Sequence, residues 1–248
     1  AQLERLGTAV RWSARVQALA RDASGRVSGV VLAGSGGHGG SERGEAIAAD
    51  AVVLAAGHSA RELYAELIAE GAELSSKDFA VGFRIEHPQT VINSARYGDD
   101  LARDMCGPHG SGRLPPAAYR LAATVSGGED GGSAAAEGAK QRSVYSFCMC
   151  PGGQIVPTSI DPAHLCINGM SYSNRGSRWA NSAVVVSVGE AYGDFGSGKA
   201  AAAGALAGVD FQEEMEARAA AMGGGELRCP VQRVSDFLAG RAPSGPLP

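Results

Sequence analysis

In the first seventy residues, apolar and polar positions alternate along two arms, Val10 to Ala20 and Val27 to Leu32, with the turn residues Asp22 to Gly25 between them. A period of two broken by Asp-Ala-Ser-Gly predicts a β-hairpin. A third arm, Glu45 to Ala49, follows the glycine-rich stretch Gly34 to Gly44 and completes a three-stranded meander. The pattern then changes. Ala51 to Ala55 is continuously apolar, as expected of a strand buried on both faces of a parallel sheet, and it stops at Gly57. A helix is predicted next, with Ser59 as N-cap, Glu62 as the other half of a capping box, and Leu63, Leu67 and Ile68 as its buried stripe. Leu3 and Leu6 fit the last turn of an earlier helix ended by Gly7. This order puts the Gly57 bend at the carboxyl end of a strand, where open α/β sheets take their ligands.

From Phe79 the runs are short and strand-like: FAVGFRIEH, YRLAATV, SVYSFCMC, QIVPTSI, HLCINGMSY and NSAVVVSVG. Six of them predict a mixed or antiparallel sheet in a second unit. Ser126 to Lys140 and Gly193 to Ala207 are rich in Gly, Ala and Ser and read as solvated loops. An amphipathic helix over Val209 to Met222 is ended by Gly223 to Gly225, and a proline-rich tail follows. The fold class is α/β and α+β.

Composition narrows the function classes. With 44% apolar residues, 248 residues can bury a core. The net charge of -4 argues against nucleic acid or an acidic membrane as the main partner, and no apolar run is long enough to cross a bilayer. Five cysteines, an odd number in a long chain, suggest an intracellular, reduced protein. The chain opens within a helical pattern and stops within a Pro-rich tail, so both ends read as interior to a longer protein.

The passages VVLAAGHSARELYAEL, FAVGFRIEHPQTVIN, SVYSFCMCPGGQIV, NGMSYSNRGSRWANSAVVVSV and PVQRVSDFLAG together resemble the NAD(P)/FAD-dependent oxidoreductase family of FAD-dependent dehydrogenases found in bacteria and plastid-bearing eukaryotes. The resemblance implies a flavoprotein with two dinucleotide-binding folds, FAD in an extended pose and a sheet-rich domain over the isoalloxazine. It implies a partial FAD-binding domain at 1-77, a substrate or cap domain at 78-230, and a return to the FAD domain at 231-248. The family's G-x-G-x-x-G precedes the region where this chain begins, and its last FAD motif lies beyond Pro248. The chain is then an interior fragment, with NAD(P)H as a possible electron donor, a small-molecule substrate, and the cytoplasm or plastid stroma as its place.

The resemblance puts Ala55, Ala56 and Gly57 near the FAD pyrophosphate and ribose, and the backbone of Val16 near adenine; the plain alternative for the former is a tight turn of small residues. The same bend admits a hydrolase reading with Ser59 as nucleophile, although Arg61 stands where the elbow needs a small residue. Arg84, Glu86 and His87 form the densest ionisable cluster. Alternation puts the first two on one strand face, as a surface pair or a functional one, and His87 on the other, as a candidate proton donor. Cys148 and Cys150 are expected on one face, and three readings stand: thiols packed in a core, a redox pair exchanging electrons with flavin in which Cys148 is the catalytic candidate, or a zinc site with His164 and Cys166. The turn at Pro151, Gly152 and Gly153 offers bare N–H groups to a flavin or a substrate anion, or is simply a hairpin turn. Asn168, Gly169 and Asn181 are polar or small residues at strand ends. The function these imply is that of a fragment of an FAD-dependent oxidoreductase, active when full length and inactive alone, with a non-catalytic interaction module or an inactive truncated product as the alternative.

Overall fold

The computed structural model describes residues 5–34, 43–57, 59–106, 112–126, 141–159, 161–195 and 204–243. They form two compact units, Ala1–Leu74 and Ser75–Pro248, in a mixed α/β architecture with antiparallel sheets.

In the first unit β1 (Val16–Arg21), β2 (Val27–Ala33) and β3 (Arg43–Ala48) make the expected meander, antiparallel and in the order β1-β2-β3. The turn is built by Asp22, whose Oδ1 accepts the N–H groups of Ser24 and Arg26, the bond pattern of an Asx turn. Strand β1 begins at Val16, shorter than the alternation suggested. Helix α1 (Arg61–Ala69) is tied to β1 because Glu70 Oε1 accepts the Leu19 N–H at 3.1 Å. Two expectations need correction here. Ala51 to Ala55 is not a buried strand: it carries no ladder bonds, and Val53 is 87% exposed. A strand buried on both faces needs a neighbour along each edge, and among the described residues this sheet ends at β3. Ser59 is not the N-cap either; Ala60 holds that position with no side-chain capping bond, and Glu62 accepts from Arg15 instead. The short helix read before Gly7 falls mostly on residues outside those described.

All six strand runs of the second unit form strands: β4 (Phe79–Pro88), β5 (Ala122–Ser126), β6 (Gln141–Cys150), β7 (Gly153–Pro157), β8 (Ile167–Ser171) and β9 (Trp179–Val188). Four make one antiparallel sheet in the order β4-β9-β6-β5, and β7 and β8 form a separate hairpin. Strand β9 lies between two neighbours, and its residues Ala180 to Ala183 are buried. Helices α2 (Gln89–Tyr97) and α3 (Asp99–Cys106) follow β4, a stretch in which no helix was expected from the sequence: Gly98 at φ +81° ends one helix and Asp99 and Asp100 open the next, where acidic residues favour a helix start. Helix α4 (Ala207–Gly223) matches its prediction and ends at the left-handed Gly224, and α5 (Val234–Leu238) is short. Phe211 of α4 meets Phe79 and Phe195 at centroid distances of 6.2 and 5.7 Å. Phe195 is buried, so the start of the supposed solvated loop at Gly193 is packed; residues 127–140 lie outside the described residues. Among the described residues no helix is long and apolar enough to cross a membrane.

A charged link closes one end of the sheet. Arg142 of β6 donates Nη1 and Nη2 to the two carboxylate oxygens of Asp194 at 2.9 and 2.8 Å and lies 4.7 Å from the Tyr192 ring centroid. Burial pushes the Asp194 carboxyl up, but the Arg142 fork, the Gly189 N–H and the guanidinium charge outweigh it and hold it below the ordinary 3.8. A depressed carboxyl stabilises the fold above its unfolded value, and that contribution is lost as pH falls through the folded one. Asp194→Asn should therefore lower unfolding free energy by about 1–3 kcal/mol at pH 7, with the deficit shrinking as the buffer is taken below 3.8. Urea denaturation of both proteins at neutral and acid pH checks this; a deficit independent of pH would refute it.

Candidate functional site

Arg84 of β4 is the centre of a cross-linked cluster on one face of the sheet. Its Nε donates to Asn181 Oδ1 at 2.8 Å, Nη1 to Asn168 Oδ1 at 3.2 Å, and Nη2 to the Cys148 carbonyl at 2.7 Å, with Cys150 Sγ 3.7 Å away. One guanidinium thus ties β4, β6, β8 and β9 together. The approach is close because residue 169 is Gly: a Cβ there would overlap Arg84 Nη2 and Asn181 Oδ1. Arg84 does not pair with Glu86, the partner that alternation suggested. Asn181 is completely buried, and its Nδ2 has no acceptor.

The cysteine pair does not share a face by simple alternation, because β6 bulges between Phe147 and Cys150. Phe147 pairs with Ala183 and Cys150 with Asn181, so three steps on β6 oppose two on β9. Cys148 takes up the extra residue at φ +44°, a left-handed conformation that non-glycine residues hold only when their surroundings enforce it. Here the surroundings are Arg84 Nη2 and Cys150 Sγ, both directed at the Cys148 carbonyl. The thiol of Cys148 is exposed and not in a core; Cys150 is half-buried. Nor do these cysteines meet His164, whose Nδ1 pairs with Asp161 at 3.1 Å, and among the described residues no group of three or more His, Cys, Asp and Glu is placed to hold a metal.

His87 lies on the opposite face, three residues from Arg84. Its Nε2 is 3.0 Å from the Tyr119 hydroxyl; the hydroxyl of Ser182, a fully buried residue of β9, donates to the Phe147 and Ala183 carbonyls. Burial pushes the imidazole below its ordinary value, against weaker opposing contributions from nearby carbonyls and Glu86, and burial pushes the Tyr119 phenol up. Near pH 7 His87 is therefore neutral, with a buried Nδ1 that has no partner. His87 and Cys148 do not converge on one point; each heads a separate cluster.

Gly152 and Gly153 sit in a tight, buried turn. The Gly152 N–H donates to Gln89 Oε1 at 2.8 Å, and Gln89 Nε2 donates to Asn93 Oδ1 and to the Ala117 carbonyl, both at 2.9 Å. The Gly152 N–H is thus spent inside the protein. In the first unit Ala55, Ala56 and Gly57 are exposed, and Gly57 has φ +78° with nothing within 4 Å of where a Cβ would stand. Val16 pairs with Leu32 in β1 and is partly exposed. Ser59 is exposed and no strand precedes it, so the nucleophile-elbow geometry is not formed; His58 lies outside the described residues. Residue reading missed Tyr119, Gln89 and the tie between Arg84 and Asn181. None carries a motif, and the one available signal was a polar Gln directly after Pro88.

Residues 78–246 match the family model described as "FAD-dependent protein, C-terminal domain-like". An uncharacterised protein of Clostridium beijerinckii is 35% identical over 240 residues, an alignment covering 97% of this chain and 38% of that relative. The chain thus spans well under half the length of the relative it matches.

Proposed function

We propose, because this chain belongs to the family of FAD-dependent proteins through its C-terminal domain-like unit, that it is part of an FAD-dependent oxidoreductase in which the second unit handles the substrate. The observation that carries the reading is the His87–Tyr119 series, an imidazole and a phenol within hydrogen-bond distance of each other beside the sheet. Such a series holds and passes protons, the task a polypeptide performs beside a cofactor that carries the electrons. When bound, FAD would supply hydride acceptance and donation.

The residues of this chain fit that group in one respect that can be stated. At Gly57 the backbone is bare, with nothing within 4 Å of where a Cβ would stand, and the exposed Ala55 and Ala56 carry only methyl groups, so a phosphate or ribose can come close to the chain there. These three, with Val16, are the residues we assign to holding FAD in the first unit. In the second unit, burial keeps His87 neutral and ready to take a proton at neutral pH, and the Tyr119 hydroxyl orients the ring through Nε2. Cys148 offers an exposed thiol at the β6 bulge. The bonded Gly152 N–H is not free to meet a flavin carbonyl, so Gly152 and Gly153 are assigned to shaping the β7–β8 hairpin. NADH or NADPH is the electron donor this reading proposes, and the fragment, the three-part domain division and an intracellular place go with it.

The test is spectroscopic. Purified full-length protein should show a flavin absorbance that bleaches on adding NADH or NADPH, and His87→Gln in it should slow flavin reduction or reoxidation by about 10²-fold or more, the usual worth of a general acid–base group. Normal rates in His87→Gln would remove the imidazole from the role, and a colourless, folded protein that takes up no FAD would support an interaction module instead.

A further inference from the structure

We propose that the Arg84 guanidinium, held between the β6 bulge and the β7–β8 hairpin, is a carboxylate-binding site, so that the ligand of this unit is a small organic acid; calling that acid the substrate rests on the oxidoreductase reading above. Donors outnumber acceptors in the cluster. Arg84 brings five N–H donors, and Asn181 Nδ2 brings two more. On the acceptor side, Cys148 O already receives Arg84 Nη2 and Cys150 Sγ, and Asn168 Oδ1 already receives Arg84 Nη1 and the Gly169 N–H. Asn181 Oδ1 receives Arg84 Nε. Carbonyl oxygens hold two lone pairs each, so the acceptors are close to full. Arg84 Nη2 also meets Cys150 Sγ, so on the open side one Nη1 hydrogen beside Asn168 is left over; the unpartnered Asn181 Nδ2 lies buried behind it. A group that only accepts is missing.

Charge gives the same answer. Each of the three oxygens that Arg84 meets is neutral, and among the described residues no carboxylate lies within ion-pair reach of it. Half-buried guanidinium groups are ordinarily paired, because removing a cation from water without a counter-ion is costly. A ligand carboxylate arriving on the exposed Asn168 side supplies an acceptor for Nη1 and the missing charge, and the buried Asn181 amide senses it through the bond it shares with Arg84 Nε. The cluster is also preorganised for it: Gly169 presses the hairpin onto the guanidinium with no space for a Cβ, and the bulge fixes Cys148 so that its carbonyl grips Nη2. Asn168 and Cys148 are exposed, so the cluster opens to the surface at those two residues. A carboxylate, with a single negative charge, matches one guanidinium cation and its one free N–H better than a doubly charged phosphate, which would leave charge and acceptor sites unmatched.

The test uses the 248-residue chain and follows the side-chain N–H signals of Arg84 and Asn181 by nitrogen–proton NMR, with Arg84→Lys giving the arginine assignment. Sodium acetate is titrated against sodium chloride at matched ionic strength and against sodium phosphate. Acetate should shift both signals and saturate, chloride should not, and Arg84→Lys, which keeps the charge but loses the fork, should weaken binding by about tenfold or more, read on the Asn181 signal. Arg96→Gln, which removes an exposed positive charge from helix α2, should bind as the wild type does. An acetate response no different from chloride, or equal binding by Arg84→Lys, would overturn the site; preference for phosphate would overturn the carboxylate assignment. Should Arg84→Lys fail to fold, the acetate-against-chloride comparison on the wild type still decides. Acetate binding by a protein without flavin chemistry would leave the site standing and remove the word substrate, whereas flavin reduction with no acetate effect would do the reverse.

Discussion

Gly152→Ala should destabilise the second unit by about 3–4 kcal/mol, more than most single substitutions do. Two causes combine. Gly152 has φ +54°, which costs an alanine roughly 1–2 kcal/mol, and its new methyl would overlap the Arg175 carbonyl oxygen. That oxygen belongs to the backbone, so the collision cannot be relieved by a side-chain rotation. The loop from Tyr172 to Ser177 must lift away, and the bond from the Ser177 N–H to the Gly152 carbonyl goes with it. Urea denaturation of the two proteins measures the difference, and a loss below about 1 kcal/mol would show that the loop yields freely.

Gln89→Leu should cost about 3 kcal/mol, although it exchanges side chains of similar size. Gln89 is 5% exposed and meets three elements at once: Asn93 one turn along α2, the Ala117 carbonyl, and the Gly152 N–H. Leucine leaves the last two without partners, and an unsatisfied buried group costs about 1–3 kcal/mol. Because both substitutions break the same junction, Gly152→Ala and Gln89→Leu together should cost less than the sum of the two, with a coupling of about 1 kcal/mol or more in a double-mutant cycle. Strict additivity would mean that Gln89 and the turn act separately.

What could be read in advance follows from the range of the forces involved. The six strands of the second unit, the meander and α4 were legible because alternation, turn residues and a helical stripe are local signals. Ala51 to Ala55 misled for the opposite reason: an apolar run announces burial, but burial depends on residues distant in sequence, and among the described residues no strand pairs with this stretch. The cysteines were misplaced because alternation assumes an unbroken ladder, and nothing in SVYSFCMC signals that Cys148 steps out of it. Individual site residues fared differently from their arrangement. His87 and Arg84 stood out as ionisable groups on a strand, yet their partners Tyr119 and Asn181 come from 32 and 97 positions away, distances over which only the folded chain brings side chains together.

The kink in β6 carries one further implication. Deleting Cys148 would let β6 run flush against β9, step for step, as β4 already does over ten pairs. Such a shortened strand would be the more regular one, yet it would leave Arg84 Nη2 without the oxygen it grips. The surplus residue is thus a spacer whose role is to hold an arginine still, and its length matters more than its sulfur.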